Sequence, residues 1–207
     1  MYIKDPSKIE NRSFEIIGSH MLNKERFTEE ELKVVMRTIH TTGDYDYENI
    51  VKIKNDAVKK GAEIIKNGCR IITDTKMAFS GINKKALEKL GCTVENYIDR
   101  EEVYALSKEK GITRSMAAVD FSLERGADIY VVGNAPTALF RIGELIEEGK
   151  TSPKLIIGVP VGFVGAAESK EYIRGFDIPT ITTVGNKGGS NVAASIVNAL
   201  MYMNMER

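Results

Sequence analysis

Histidine is the side chain best placed to give up a proton near neutral pH, and this chain has two, His20 and His40. His40 stands one residue past the apolar stripe Leu32, Val35, Met36 and Ile39, just before Thr41-Thr42-Gly43, at the end of an expected helix. The carbonyl end of a helix favours an imidazolium by about 0.3–1 kcal/mol at an exposed site, which suits a general acid. The competing and commoner role is a histidine that only caps helix carbonyls. His20, four residues after Ile16, is expected to be half-buried and structural. Cys69 and Cys92 have no metal-ligand spacing, and two histidines with two cysteines are poor material for a metal cage, so no metal site is expected.

Anion-binding chemistry has more candidates. Gly158-Val159-Pro160-Val161-Gly162-Phe163-Val164-Gly165 and Gly185-Asn186-Lys187-Gly188-Gly189-Ser190-Asn191 each put several glycines before an expected helix, where free backbone N–H groups gather. Thr73-Asp74-Thr75-Lys76-Met77 and Gly133-Asn134-Ala135-Pro136-Thr137 are two further turns of the same kind. None has phosphate-loop spacing or Gly-x-Gly-x-x-Gly directly after a strand, and turns of this type also collect Gly, Asn and Pro for backbone reasons alone. Arg114, in Gly111-Ile112-Thr113-Arg114-Ser115, opens a helix where its charge opposes the dipole. A carboxylate ligand held in two hydrogen bonds would justify it. So would a local ion pair with Asp120 or a surface glutamate. Lys170 suits either an anion contact or a solvated helix face.

These residues need elements to hold them. Asp5-Pro6 reads as a helix start, with Ile9, Phe14, Ile16 and Ile17 as anchors. Thr28 with Glu31 forms a capping box for the second helix. A third helix is expected from about 56 to 67, ending at Gly68, so the N-terminal third reads as helical. From there strand and helix alternate. Short apolar strands are expected at Arg70–Thr73, Ile129–Val132, Leu155–Val159 and Thr180–Val184, each followed by a glycine-bearing turn and an amphipathic helix, most clearly Ala138–Glu148 and Asn191–Met203. Strands without polar alternation are buried on both faces. The expectation is one α/β domain over 1–207, with a mostly parallel sheet, helices on both faces and a helical N-terminal segment. In such a sheet ligands bind beyond the carboxyl ends of the strands, which is where the four turns fall.

Composition removes other classes. With 29 basic and 29 acidic residues among 207, the formal charge is zero. The two halves are each balanced, so no basic face for nucleic acid is expected. The longest run without charged or strongly polar residues, Leu155 to Ala167, contains Gly and Pro and is too short for a membrane span. The first residues, Met1-Tyr2-Ile3-Lys4-Asp5-Pro6, have no apolar signal core. A reduced, cytoplasmic protein is expected.

Several segments together resemble the precorrin-8X methylmutase (precorrin isomerase) family of cobalamin biosynthesis. They are Gly133-Asn134-Ala135-Pro136-Thr137-Ala138-Leu139, the run from Gly158 through Pro160-Val161-Gly162-Phe163-Val164-Gly165-Ala166-Ala167-Glu168-Ser169-Lys170, and Gly188-Gly189-Ser190 with Asn198-Ala199-Leu200. Ser13-Phe14, Arg37-Thr38-Ile39-His40, Asp74 with Met77, and Thr113-Arg114-Ser115 agree, in order, over nearly the whole chain. The chain departs from the family at Gly18-Ser19-His20-Met21, where a more acidic stretch is usual.

The resemblance implies an isomerase that moves a methyl group from carbon 11 to carbon 12 of ring C, with no redox or nucleotide cofactor consumed. It gives His40 the role of the catalytic acid. A sigmatropic shift needs only a proton and a pocket that fixes the macrocycle. A corrinoid carries several peripheral carboxylates, so donors are needed around an apolar floor. Ser13, Arg114, Asn134, Thr137, Gly162, Lys170, Gly188, Gly189 and Ser190 are the candidate substrate contacts. The resemblance also implies a homodimer with its site near the subunit interface. Two alternatives compete. A non-catalytic corrinoid carrier would have no need of His40 in its Arg-Thr-Ile-His setting, and a nucleotide-binding α/β enzyme lacks the phosphate fingerprint.

Overall fold

Each N-terminal helix starts where its first amide groups find a side-chain acceptor. The computed structural model describes residues 4–205. Helix α1 (Pro6–His20) begins at Asp5, whose carboxylate accepts from the Ser7 and Lys8 amides. Helix α2 (Glu29–Thr42) has the expected capping box: Thr28 Oγ1 accepts from Glu31 N, and Glu31 accepts from Thr28 N. It ends at Gly43, in the left-handed region at φ 66°. Val34, Val35, Thr38 and Ile39 are its buried face, with Leu32 and Met36 half-buried beside them. Between α1 and α2 the chain is pinned by the buried Glu48 of α3 (Tyr47–Ile50), which accepts from Leu22 N at 3.1 Å and Asn23 N at 2.6 Å.

The helical reading of this third fails at β1 (Val51–Lys54). Val-Lys-Ile-Lys is only four residues of weak alternation, and it becomes a strand because β6 (Thr180–Thr183) offers it an antiparallel edge, Val51 opposite Thr183 and Lys54 opposite Thr180. The third helix is α4 (Ala57–Lys66), with Gly68 in the left-handed region after it as expected. Then follow β2 (Arg70–Thr73), α5 (Lys76–Gly81), α6 (Lys84–Lys89), β3 (Thr93–Asn96), α7 (Glu101–Lys110), α8 (Arg114–Ser122), β4 (Ile129–Val132), α9 (Pro136–Glu147), β5 (Leu155–Gly158), α10 (Ala166–Arg174), β6 and α11 (Ser190–Tyr202). All four expected strands are present to within one residue. The helix expected after β2 is the short α5, and the edge strand β3 and helices α3, α6 and α7 are not anticipated by the sequence pattern.

One sheet carries the strands in the order β1-β6-β5-β4-β2-β3, parallel throughout except for β1. Successive side chains go to opposite faces. Ile71, Ile129, Val131, Leu155, Ile157 and Ile181 enter a core closed by α2, α4 and α11. Ile72, Tyr130, Val132 and Ile156 enter the other, closed by α7, α8, α9 and α10. Among the described residues no helix is long and apolar enough to cross a membrane.

The order of the strands reverses at β2, with β3 on one side and β4 on the other. There the turn after β2 lacks the expected glycine and carries Asp74 instead. Its carboxylate, 7% exposed, accepts from the amides of Gly133, Asn134 and Ala135 at 2.9, 2.8 and 2.8 Å. Burial pushes its pKa up while the three donors hold the anion in place. Gly133 permits the close fit, since a Cβ there would lie 2.6 Å from Ser190 Cα. Removing the carboxylate leaves buried donors without an acceptor. Asp74→Ala should therefore lose about 2–4 kcal/mol of stability, read as a lower urea midpoint. A midpoint equal to wild type would show that water replaces the carboxylate without loss.

Candidate active site

Four turns meet along the carboxyl edge of the sheet, and direct bonds join them. Thr75 caps α5 and its hydroxyl lies 2.8 Å from Ser190 Oγ at the start of α11. Gly189 N donates to Val159 O at 2.8 Å, and Gly162 N to Asn186 O at 3.1 Å. Gly188 packs so tightly on Val159 that a Cβ would sit 2.1 Å from the carbonyl oxygen. The loop before α11 is thus laid against the loop after β5, and the first-turn amides of α11 have no helical acceptors. Around these polar turns Met77, Val161, Phe163 and Val164 stand exposed, Phe163 and Val164 at 89% and 90%. Asn134, also exposed, lies on the turn held by Asp74.

At the far end of this edge Thr113 caps α8, and its hydroxyl meets Thr137 Oγ1 at 3.1 Å. Arg114 is exposed beside them. Its guanidinium stacks on the Tyr104 ring, 4.7 Å from the centroid, and it donates to the Tyr104 hydroxyl. The alternative of an ion pair with Asp120 is not what forms: Asp120 is held by Lys110 at 2.8 Å and Arg141 at 2.7 Å, which keep its pKa below the usual range despite burial. Among the described residues Arg114 forms no ion pair, so its charge is available to an anionic ligand.

Lys170 lies behind the edge, not on it. Fully buried on α10, it donates to Thr183 Oγ1 at 3.1 Å and to Lys187 O at 3.0 Å, and so grips the loop from beneath. It is neither a solvated helix residue nor placed on the surface that the other candidates share.

Ser13 and His40 belong to the helical layer. The His40 ring is exposed and meets Phe14 edge-on, with centroids 5.2 Å apart. Among the described residues its ring nitrogens have no hydrogen-bond partner. His20 differs: its Nδ1 lies 2.8 Å from Ile16 O and 3.1 Å from Ser19 Oγ, and its ring rests on Tyr45. The capping role belongs to His20, although on an exposed helix end rather than a half-buried one. Ser13, one residue before Phe14, donates back to Ile9 O at 2.9 Å. Beyond Phe14 an open groove of about 490 Å³ is lined by Met36, Arg37, Tyr202 and Met203.

The segment after α2 is tied to the glycine loop. Lys187 Nζ pairs with Asp44 at 2.6 Å and Asp46 at 3.1 Å, lowering the pKa of Asp44, and Tyr47 donates to Gly188 O at 3.5 Å. Asn134, Thr137, Gly162, Gly188, Gly189, Ser190 and Arg114 therefore share one edge, and the end of α2 that bears His40 is fastened to it. Sequence reasoning missed Tyr104, Lys187 and Asp44 as supports. Only the Thr113 and Thr75 caps left a signal, a threonine ahead of a helix.

Comparisons with known proteins agree over nearly the whole chain. The family model for precorrin-8X methylmutase matches residues 8–203. The cobalt-precorrin-8 methylmutase of Salmonella typhimurium is 44% identical, with 97% of each chain covered. That of Leptospira interrogans is 42% identical over 96% of this chain and 94% of its own. The crystal structure of precorrin-8x methyl mutase from Thermus thermophilus superposes with a TM-score of 0.88 at 35% identity, covering 96% of both chains. With a family model spanning nearly all of it and relatives this similar along their whole lengths, the chain belongs to the precorrin-8X methylmutase family.

Proposed function

We propose that this protein is an isomerase of cobalamin biosynthesis that transfers one methyl group from carbon 11 to carbon 12 of ring C in precorrin-8X or cobalt-precorrin-8. The products are hydrogenobyrinic acid or cobyrinic acid. The observation that carries this reading is His40, an exposed imidazole on the last turn of α2 whose ring touches Phe14 and spends neither nitrogen on the protein among the described residues. An imidazolium there lends its proton to a ring-C position and draws electron density from the conjugated system. The carbon 11–methyl bond breaks as the carbon 12–methyl bond forms, and the proton then returns to His40. No electron is exchanged with a cofactor.

Binding rests on local charge. Arg114, the hydroxyls of Ser13, Thr137 and Ser190, the Asn134 amide and the N–H groups around Gly162, Gly188 and Gly189 are suited to the peripheral carboxylates. Met77, Val161, Phe163 and Val164 offer an apolar floor beside them. The protein works as a cytoplasmic homodimer in this reading, with the site near the subunit interface, and the exposed Phe163–Val164 pair supports a covered edge.

His40→Ala and His40→Asn should keep the fold and bind hydrogenobyrinic acid normally while turnover falls about 10²–10⁴-fold. His20→Ala should change turnover little. Near wild-type conversion by His40→Ala would remove the protonation step. Arg114→Ala should weaken product binding by about 1.5–3 kcal/mol, roughly 10- to 150-fold, with an unchanged melting temperature, because its protein partner is an exposed tyrosine. Unaltered affinity in a titration would reduce Arg114 to a surface residue.

A further inference from the structure

Among the described residues Lys170 is the one large charged side chain that is fully buried, and no carboxylate there pairs with it. Its ammonium, Thr183 Oγ1 and Lys187 O form a closed triangle, the Thr183 hydroxyl itself donating to Lys187 O at 2.7 Å. A neutral carbonyl and a hydroxyl satisfy the donors but leave the charge uncompensated. Every other charge nearby is accounted for differently. Arg174, on the same helix, donates to Thr182 Oγ1 and Thr183 O and pairs with Glu171. Lys187 turns outward to Asp44 and Asp46. From α9, Glu147 lies at the Tyr172 hydroxyl and Glu144 pairs with Arg141. The positive charge therefore sits under the Gly185–Gly189 loop and the amino end of α11, and among the described residues no anion meets it.

We infer that Lys170 is a positioning residue, which fixes the Gly185–Gly189 loop through Lys187 O and supplies, from beneath, the charge that draws one substrate carboxylate onto the loop. This rests on the corrinoid reading above and deepens it by making that loop a carboxylate subsite. Lys170 does not touch the substrate. A buried cation acting over several ångströms through a poorly polarisable interior still exerts a large attraction. The loop cannot move away to relieve it, since Gly188 lies against Val159 and Gly189 is bonded to it. Burial, aided by the charge of Arg174, pushes the Lys170 pKa down to about 8. An unfolded lysine keeps its proton to about 10.4. Between these values the unfolded chain binds the extra proton, so the ligand-free protein gains stability from this group as pH rises, whereas an anionic ligand favours the charged form and binds more weakly as pH passes about 8.

The test uses the full chain as wild type, Lys170→Met and Thr183→Val, with two probes, hydrogenobyrinic acid and a corrinoid whose peripheral carboxylates are amidated. In Lys170→Met the dissociation constant for the acid should rise roughly 10-fold at pH 7 and much less for the amide. KM should rise while kcat changes little. In wild type the affinity for the acid should decline between pH 7 and 9 more steeply than in Lys170→Met. Ligand-free wild type should gain stability between pH 8 and 10.5 relative to Lys170→Met. Equal losses for acid and amide, unchanged affinity, or a fall in kcat with KM constant would each overturn the proposal. If Lys170→Met does not fold, Thr183→Val decides: it should speed amide exchange over residues 184–190 and raise KM, and unchanged exchange counts against the loop role. Wild type that binds neither probe overturns the corrinoid reading and this proposal together. Wild type that binds the acid beside an unaffected Lys170→Met overturns this proposal alone.

Discussion

A single carboxylate, that of Asp74, accepts N–H groups from three successive residues of another strand's turn, and the carboxyl edge is arranged around that clasp. It works at the one place where the strand order reverses, the point at which a parallel sheet leaves a crevice between neighbouring turns. Gly133 is drawn close enough to α11 that no larger residue fits, and the adjacent Thr75 reaches Ser190. Three elements distant in sequence are thereby fixed around one buried anion before any ligand is considered.

The second buried charge, Lys170, is the counterpart on the other side of β5. Asp74 is an anion surrounded by amide donors, while Lys170 is a cation surrounded by carbonyl and hydroxyl acceptors. Among the described residues neither is paired with an opposite charge, and burial shifts each pKa toward the neutral form. Such groups cost folding free energy and are tolerated where they shape backbone. Both hold turns that contain the candidate contacts, which explains how a chain with zero net charge presents a local field suited to a polycarboxylate.

The two histidines show how surroundings divide one residue type into two roles. His20 and His40 each stand exposed on the last turn of a helix. His20 is engaged by Ile16 O and Ser19 Oγ, so its ring is a cap. His40 meets the Phe14 ring edge-on, a contact that orients the ring without occupying its nitrogens. Arg114 repeats the pattern, set on Tyr104 by stacking while Lys110 and Arg141 take the nearby Asp120.

Sequence by itself determined the elements whose reasons are local. The Asp5 and Thr28 caps, the stop at Gly43, and the apolar strands β2, β4, β5 and β6 follow from neighbours a few residues away, and the run from Pro160 to Lys170 carried the family resemblance. Tertiary structure decided what depends on distant partners. Val51–Lys54 is a strand only because β6 leaves an edge open, and β3 only because β2 does. Asp74 could be read as a turn residue, but its three amide partners lie about sixty positions on, in a turn that β-sheet order alone brings near. Lys170 shows the limit most plainly: its own segment allowed a surface helix residue or a ligand contact, and only the packing of α10 beneath the loop after β6 made it a buried cation. Burial and partner choice are set by the summed packing of the whole chain, which no local pattern encodes.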